Sequence, residues 1–323
     1  MARKLITIHI PLYNEEGNLP AVFSRIEAVA AQESGYDWDF MLIDNCSVDA
    51  SQALCEAKCK VDPRYRYLRM SRNWEGNAVM ASFDHCIGDA MIVLFSDLQD
   101  PPENIPTMLR KWEEGYHLVN GIVRDRHDYT IFKTIGAGLA YRLIDWLADT
   151  KMPRGATDFR LMDRKIVEAC KQCREFPRFT RGLVHWVGFR KVTFEYDRVA
   201  RVAGESKGRM LHSINLAIDA ILNFSDKPLR MISLFGVCLL FISFLLALYY
   251  GYGVIAGIPA PRGVTTTFVL LLANLGFLSF FLGLIGEYLA RAFVQAKNRP
   301  LYFLEKTVNV RGDPLGGEPQ AGR

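Results

Sequence analysis

With 323 residues, half of them hydrophobic and 23% charged, the chain is long enough for one large domain or two and apolar enough for a sizeable core. Its formal charge of +4, with no basic stripe interleaved with aromatics in the first two hundred residues, excludes a nucleic-acid partner. Charge is partitioned by region: residues 231–260 and 263–286 carry none, so each run can cross a ~30 Å hydrocarbon core as a helix.

Short apolar runs at 5–10, 39–43, 65–70, 91–95 and 117–122 alternate with segments long enough for crossover helices. That is the pattern of a doubly wound, mostly parallel α/β sheet. The first run is too short for a signal peptide, and Glu15 and Glu16 follow it closely. No Gly-x-Gly-x-x-Gly comes after it; Pro11-Leu12-Tyr13-Asn14-Glu15-Glu16 stands there instead, which removes the best support for dinucleotide redox chemistry. Cys55 with Cys59 and Cys170 with Cys173 lack the Gly-rich knuckle of a zinc site, and read as reduced core thiols.

The run at 91–95 ends in Ser96-Asp97-Leu98-Gln99-Asp100-Pro101-Pro102-Glu103. Open α/β sheets bind ligands just outside the carboxyl ends of their strands, so these acids stand where a substrate should. Asp97, Gln99 and Asp100 are hard oxygen ligands, suited to Mg²⁺ or Mn²⁺ holding a phosphate rather than to zinc. The same string has the form of a helix start, with Asp100 as N-cap, Pro101 in the first helical position and Glu103 as capping-box partner. The two readings are compatible: residues 101–103 open the next helix while Asp97 and Gln99 face a diphosphate. With Pro11, Tyr13 and Glu15 after the first strand and Asp44 after the second, these residues can form one nucleotide pocket.

Beyond residue 205, Leu211, Ile214, Ile218, Ile221 and Leu222 recur at helical spacing beside Arg209, His212, Asn215, Asp219 and Lys227. A helix over 206–228 lying on the membrane surface is expected from that pattern. A transmembrane hairpin over 229–290 follows, with spans at about 229–251 and 264–288, and then a tail over 291–323 whose Gly- and Pro-rich end is expected to be disordered. The loop between the spans has Arg262 as its only charge, whereas Lys227, Arg230, Arg291, Lys297, Arg299 and Lys306 flank the outer ends, so both termini are expected in the cytoplasm.

Several strings together carry a family resemblance. They are Pro11-Leu12-Tyr13-Asn14-Glu15-Glu16, Ile43-Asp44, Ser71-Arg72-Asn73, Asp97-Leu98-Gln99-Asp100-Pro101-Pro102-Glu103, Thr157-Asp158-Phe159-Arg160-Leu161-Met162, Trp186-Val187-Gly188-Phe189, Gly204-Glu205-Ser206-Lys207, Gly286-Glu287-Tyr288 and Arg299-Pro300-Leu301-Tyr302. Through them the chain resembles family 2 glycosyltransferases of the GT-A fold, in the branch that moves a sugar onto polyprenyl phosphate. The resemblance implies a Rossmann-like GT-A domain over 1–205 with Pro11, Tyr13, Glu15 and Asp44 on the nucleotide. It also implies Asp97 and Gln99 on a Mg²⁺ or Mn²⁺ ion, with Asp97 and Asp158 catalytic. Asp100, Arg124, Arg160, Arg201 and Lys207 complete the implied substrate-binding set.

The implied reaction is inverting transfer of a hexose to undecaprenyl or another polyprenyl phosphate, at the cytoplasmic face of a bacterial inner membrane, by a homo-oligomer. UDP-glucose is the first-choice donor; GDP-mannose and a UDP-amino sugar are alternatives. A lipid phosphate, with a second pKa of ~6, is largely ionised near neutrality and can attack without a strong base. Asp158 would then orient the acceptor or stabilise charge on the sugar, while the cations keep two anionic substrates together. A processive polysaccharide synthase of the same family is disfavoured by the lack of a Gln-x-x-Arg-Trp motif and of further membrane helices. A non-catalytic membrane scaffold is the rival from another class. Two positions depart from the family pattern: Phe95 stands where the acidic motif usually opens with Asp, and Asn45-Cys46 replaces the usual Asp-Gly after Asp44.

Overall fold

The computed structural model describes residues 3–74, 78–124, 153, 155–174, 180–198, 227–256 and 263–310. Arg201, Lys207 and all but the last two residues of the expected surface helix over 206–228 lie outside them, as does the Gly- and Pro-rich end of the chain; residues 227 and 228 open a different helix. The strands are β1 Lys4–Leu12, β2 Tyr36–Asp44, β3 Tyr65–Met70, β4 Ala90–Val93, β5 Leu118–Val123, β6 Ala156–Asp163, β7 Lys191–Tyr196 and β8 Leu304–Val308. They form one eight-stranded sheet in the order β7-β5-β6-β4-β1-β2-β3-β8.

β1 pairs in parallel with both β2 and β4, and β2 with β3. These are the apolar runs that the sequence marks as strands. β6 and β8 run antiparallel to their neighbours, so the sheet is mixed rather than doubly wound throughout. The reversal matters for the site: the amino-terminal end of β6 comes to the edge where β1, β2, β4, β5 and β7 end.

Helices cover both faces. α1 (Leu19–Gln32) buries Leu19, Val22, Phe23, Ile26, Val29 and Ala30, a stripe at three- and four-residue spacing, against Ile6, Ile8 and Ile10 of β1. Each fully buried side chain of this size contributes ~1.5–3 kcal/mol. α2 (Ser51–Val61) buries Cys55 and Cys59, and α4 (Ile105–Glu113) adds Met108, Leu109 and Trp112 to the same core. On the other face, α3 (Ala78–His85), α5 (Arg164–Gln172) and α6 (Thr180–Trp186) pack over Met41, Ile43, Met91, Val93 and Met162. The cysteines of both pairs are free thiols, and among the described residues no group of His, Cys, Asp and Glu forms a metal cluster.

Two long helices follow, α7 (Lys227–Ile255) and α8 (Val264–Ala296), in contact through Phe235, whose ring lies 5.3 Å from that of Phe277 and 5.5 Å from that of Phe281. Among the described residues one stretch, Asn274–Ala296, is long and apolar enough to cross a membrane. Past α8 the chain returns to the sheet, so residues expected only as a tail supply β8. Lys306 pairs with Glu56 at 2.7 Å, and Asn309 Nδ2 donates to the carbonyls of Cys59 and Tyr65 at 2.8 and 2.9 Å.

Inside the sheet, Asp39 accepts from Arg66 Nε and Nη2, each at 2.6 Å, and from the Thr7 hydroxyl at 2.7 Å, all buried. Removing one partner of such a pair leaves a charge with neither water nor counter-ion. Asp39→Ala is therefore expected to cost about 3–5 kcal/mol in urea unfolding, whereas Arg64→Ala, which breaks the more exposed pair with Asp62, is expected to cost about 1 kcal/mol or less.

Candidate active site

Strand direction gathers the site. Pro11 lies beside Ile43 and Leu12 beside Asp44 in the β1–β2 register, while Val93 lies beside Arg160 in the β4–β6 register. The loops after β1, β2 and β4 and the start of β6 therefore share one edge. Each of these loops contains a non-glycine residue at positive φ: Asn14 at 56°, Cys46 at 67° and Leu98 at 54°. Such backbone is disfavoured for side-chain-bearing residues and persists where surrounding contacts impose it, as at ligand sites.

Those contacts are reciprocal hydrogen bonds between loops. Asn14 N–H donates to Ser47 Oγ at 2.9 Å, and Val48 N–H returns one to Asn14 Oδ1 at 2.9 Å. Glu15 N–H donates to Ser51 Oγ at 2.9 Å, and Ala50 N–H to Glu16 Oε2 at 2.8 Å. The Ser96 hydroxyl ties the third loop in by donating to the Pro11 carbonyl at 3.2 Å. Tyr13 is left 44% exposed at this edge, a ring face open for stacking. Glu15 accepts from Asn18 Nδ2 at 2.7 Å.

Asp44 is fully buried. Its Oδ1 accepts from the Ser47 N–H at 2.8 Å and hydroxyl at 2.6 Å, its Oδ2 from the Tyr67 hydroxyl at 2.6 Å and Arg69 Nη1 at 3.0 Å. Rather than presenting a carboxylate to solvent, it shapes the β2 loop, and contact with a base requires exchange of one of these partners.

Asp100 corrects the expected helix cap. Its Oδ1 accepts from the Tyr196 hydroxyl at 2.5 Å and Arg198 Nε at 2.9 Å, its Oδ2 from Arg198 Nη2 at 3.2 Å. The helix opens instead as a single 3₁₀ turn, Pro102–Asn104, capped at Pro101 without a side-chain bond, and Glu103 turns to Arg25. The reason is electrostatic: at 1% exposure Asp100 needs a counter-ion, and a backbone N–H is a weaker one than a guanidinium. Asp97, by contrast, is part-exposed and accepts from the Gln99 N–H at 3.2 Å. Of Asp97 and Asp100 it is the more exposed.

Asp158 sits between two arginines. Arg160 Nη2 donates to its Oδ1 at 3.0 Å, and Arg181 donates to its Oδ2 from Nε at 2.8 Å and Nη2 at 2.5 Å. Burial pushes this carboxyl up, but the two guanidiniums outweigh it and hold it below the usual carboxylate range. A carboxylate held in this way is a poor proton acceptor. Behind Arg160, Asn120 Nδ2 donates to His185 Nε2 at 2.8 Å, and burial, then Lys191 and Arg160, lower His185 to about 4, so it stays neutral. Arg124 is exposed and faces Glu195 at 3.5 Å and Asp197 at 3.6 Å. Arg69, Arg181 and Arg198 were not among the sequence candidates; the signal for them was only their position near motifs, for Arg198 three residues before Arg201.

The comparisons agree with this architecture. Residues 7–170 match the family "Glycosyl transferase family 2", and the chain belongs to that family: it is a glycosyltransferase. It is 35% identical over 310 residues to the glycosyltransferase YkcC of Bacillus subtilis, covering 96% of each chain. To the bactoprenol glucosyl transferase of Shigella phage SfII it is 33% identical, covering 96% of this chain and 99% of that one. To the undecaprenyl-phosphate 4-deoxy-4-formamido-L-arabinose transferase of Enterobacter sp. (strain 638) it is 32% identical over 94% of each.

A depressed folded-state pKa at Asp158 stabilises the fold above the unfolded-state value of about 3.9, and that contribution is lost as pH falls through the lower value. The stability gap between wild type and Asp158→Asn in urea unfolding is thus expected to be widest near neutral pH and to close as pH falls through the lowered folded-state value.

Proposed function

We propose that this glycosyltransferase transfers a hexose, glucose from UDP-glucose as first candidate, to a polyprenyl phosphate, inverting the anomeric centre. The observation that carries the reading is the charge layout of one sheet edge. Asp97 is part-exposed at the β4 loop, and arginines flank Asp158 of β6, which supports separate places at this edge for a cation-bound diphosphate and for a second anion. The similarity to proteins named bactoprenol glucosyl transferase and undecaprenyl-phosphate sugar transferase, over nearly their whole lengths, supports a polyprenyl phosphate as that second anion.

Tyr13 and Pro11 would flank the base, with Glu15 and the Asp44-ordered loop beside the ribose. A divalent cation fits Asp97 with the Gln99 carbonyl only if the diphosphate and water complete its shell, since Phe95 adds no ligand and Asp100 is held by Arg198. That suits Mg²⁺ or Mn²⁺, which bind through one or two carboxylates plus phosphate oxygens. Such an ion would neutralise charge on the departing nucleotide diphosphate. Asp158, ionised and clamped, would face developing positive charge on the sugar, while Arg160 sets its orientation. Arg124, and Arg201 and Lys207 outside the described residues, would hold phosphates.

α7 and α8 would form a membrane hairpin, with the uncharged run over 231–260 as its first span and Asn274–Ala296 within its second. A hydrophobic acceptor gives a reason for that anchor. The domains would be those expected, 1–205 with β8 added, at a bacterial inner membrane with both termini cytoplasmic.

Full-length protein in detergent, given UDP-glucose, undecaprenyl phosphate and Mg²⁺, should move labelled glucose into the lipid phase. Asp97→Ala should lower kcat/KM by roughly 10²–10³-fold. No transfer with UDP-glucose, GDP-mannose or a UDP-amino sugar would sink the reading.

A further inference from the structure

β8, the edge strand next to β3, is not evenly paired with it. Met70 lies beside Leu304 and Arg69 beside Lys306, so the register skips Glu305 and the strand bulges there. Along an unbroken strand, neighbouring side chains point to opposite faces; a bulge re-aims one of them, and bulges gather at sheet edges and beside functional sites. Here Lys306 reaches Glu56 of α2, while Glu305 is turned so that its Oε2 accepts from Arg69 Nε at 2.9 Å.

The remaining nitrogens of that guanidinium are directed at the loop after β2. Nη1 donates to Asp44 Oδ2 and to the Ser47 carbonyl, each at 3.0 Å, and Nη2 lies 3.7 Å from Cys46 Sγ. One side chain, itself only 12% exposed, thus meets positions 44, 46 and 47. Between those contacts Cys46 has a φ of 67°, left-handed backbone that is disfavoured for a residue with a Cβ and has to be held. The shape of this loop also passes to its neighbour: the Ser47 hydroxyl donates to Asp44 and accepts from the Asn14 N–H, one residue beyond Tyr13.

We propose that Arg69 is a positioning residue for nucleotide binding, which holds the loop after β2 in the left-handed form that accepts a nucleoside diphosphate and is itself aimed by Glu305 of the β8 bulge. This rests on the reading above that a nucleotide lies against this loop, and it makes the strand after α8 part of the donor site. Calorimetry with UDP and with GDP, each in the presence of Mg²⁺, would be run on the full chain in detergent and on Arg69→Gln, Arg69→Lys, Glu305→Gln, Cys46→Gly and the Arg69→Gln/Cys46→Gly double variant. The thermal unfolding midpoint of each would be recorded alongside.

For whichever nucleotide wild type binds more tightly, Arg69→Gln is expected to weaken binding about tenfold, because the released loop moves to other conformers. Arg69→Lys is expected to recover little of this, since one ammonium cannot bridge the loop and Glu305 as the fork does. Glu305→Gln leaves Arg69 paired with Asp44 and is expected to weaken binding about threefold. Rescue separates positioning from direct contact. Glycine adopts a φ of 67° without steric cost, so Cys46→Gly is expected to recover about threefold in the Arg69→Gln background and to gain less in wild type, where the loop is already held. A lost phosphate contact or a lost charge balance is not restored by glycine.

Equal affinity in wild type and Arg69→Gln, with or without a lower unfolding midpoint, would overturn the proposal. So would full recovery in Arg69→Lys, or no recovery when Cys46→Gly is added. Wild-type affinity in Glu305→Gln would overturn it as well, and that variant decides the matter should Arg69→Gln fail to fold. A wild type that shows the expected pattern yet transfers no sugar to lipid phosphate would refute the transferase reading and leave this one standing; a wild type that binds neither nucleotide would overturn both.

Discussion

Asp100 is nearly out of water and Asp158 is largely buried, and arginines are set against both. An isolated buried carboxylate would cost several kcal/mol or take up a proton, so these partners are obligatory. Meeting that need determines much of the edge. Arg198 and Tyr196 carry the end of β7 to the β4 loop, and Arg181 brings the start of α6 to β6. The Thr157 hydroxyl, 3.1 Å from that of Tyr196 and 3.2 Å from the Gly121 carbonyl, closes the arrangement through β5. Two acids that could have been ligands become the framework, and of the two β4-loop acids Asp97 is the more exposed.

The parallel half of this frame was legible in the sequence because buried parallel strands are continuous apolar runs. β3 was expected at 65–70 and is found as Tyr65–Met70, and the longer β1 and β2 enclose the expected 5–10 and 39–43. β7 alternates burial with exposure, and β6, although buried from Phe159 to Met162, carries Asp158, Arg160 and Asp163, so neither reads as a continuous apolar run. β8 was hidden because it follows a long apolar helix and completes the sheet with a partner, β3, more than two hundred residues earlier. The acids were visible as candidates, but their roles were not. Whether Asp100 caps a helix or meets Arg198 depends on a residue 98 positions away, and local spacing cannot report that.

That distant β8 also changes how the two long helices α7 and α8 relate to the sheet. In chain order α7 and α8 stand between β7 and β8, both strands of the sheet, so the helical pair is an insertion between two of its strands rather than an addition at its end. Arg69 joins the two regions, meeting Glu305 of β8 at 2.9 Å and Asp44 at 3.0 Å. The strand that follows α8 thus touches the same network that shapes the loop proposed to hold the nucleotide. Tyr302, just before β8, donates to Asp84 at 3.0 Å, and Asp84 also pairs with Arg174.

The proposed division of labour among the acids has Asp97 meet a cation-bound diphosphate, while Asp100 and Asp158 hold arginines. Titration of UDP into detergent-solubilised protein, with and without Mg²⁺, tests it directly. Affinity that rises with Mg²⁺ in wild type and in Asp158→Asn, but not in Asp97→Ala, is the predicted result. UDP binding that responds to Mg²⁺ equally well in Asp97→Ala would contradict it.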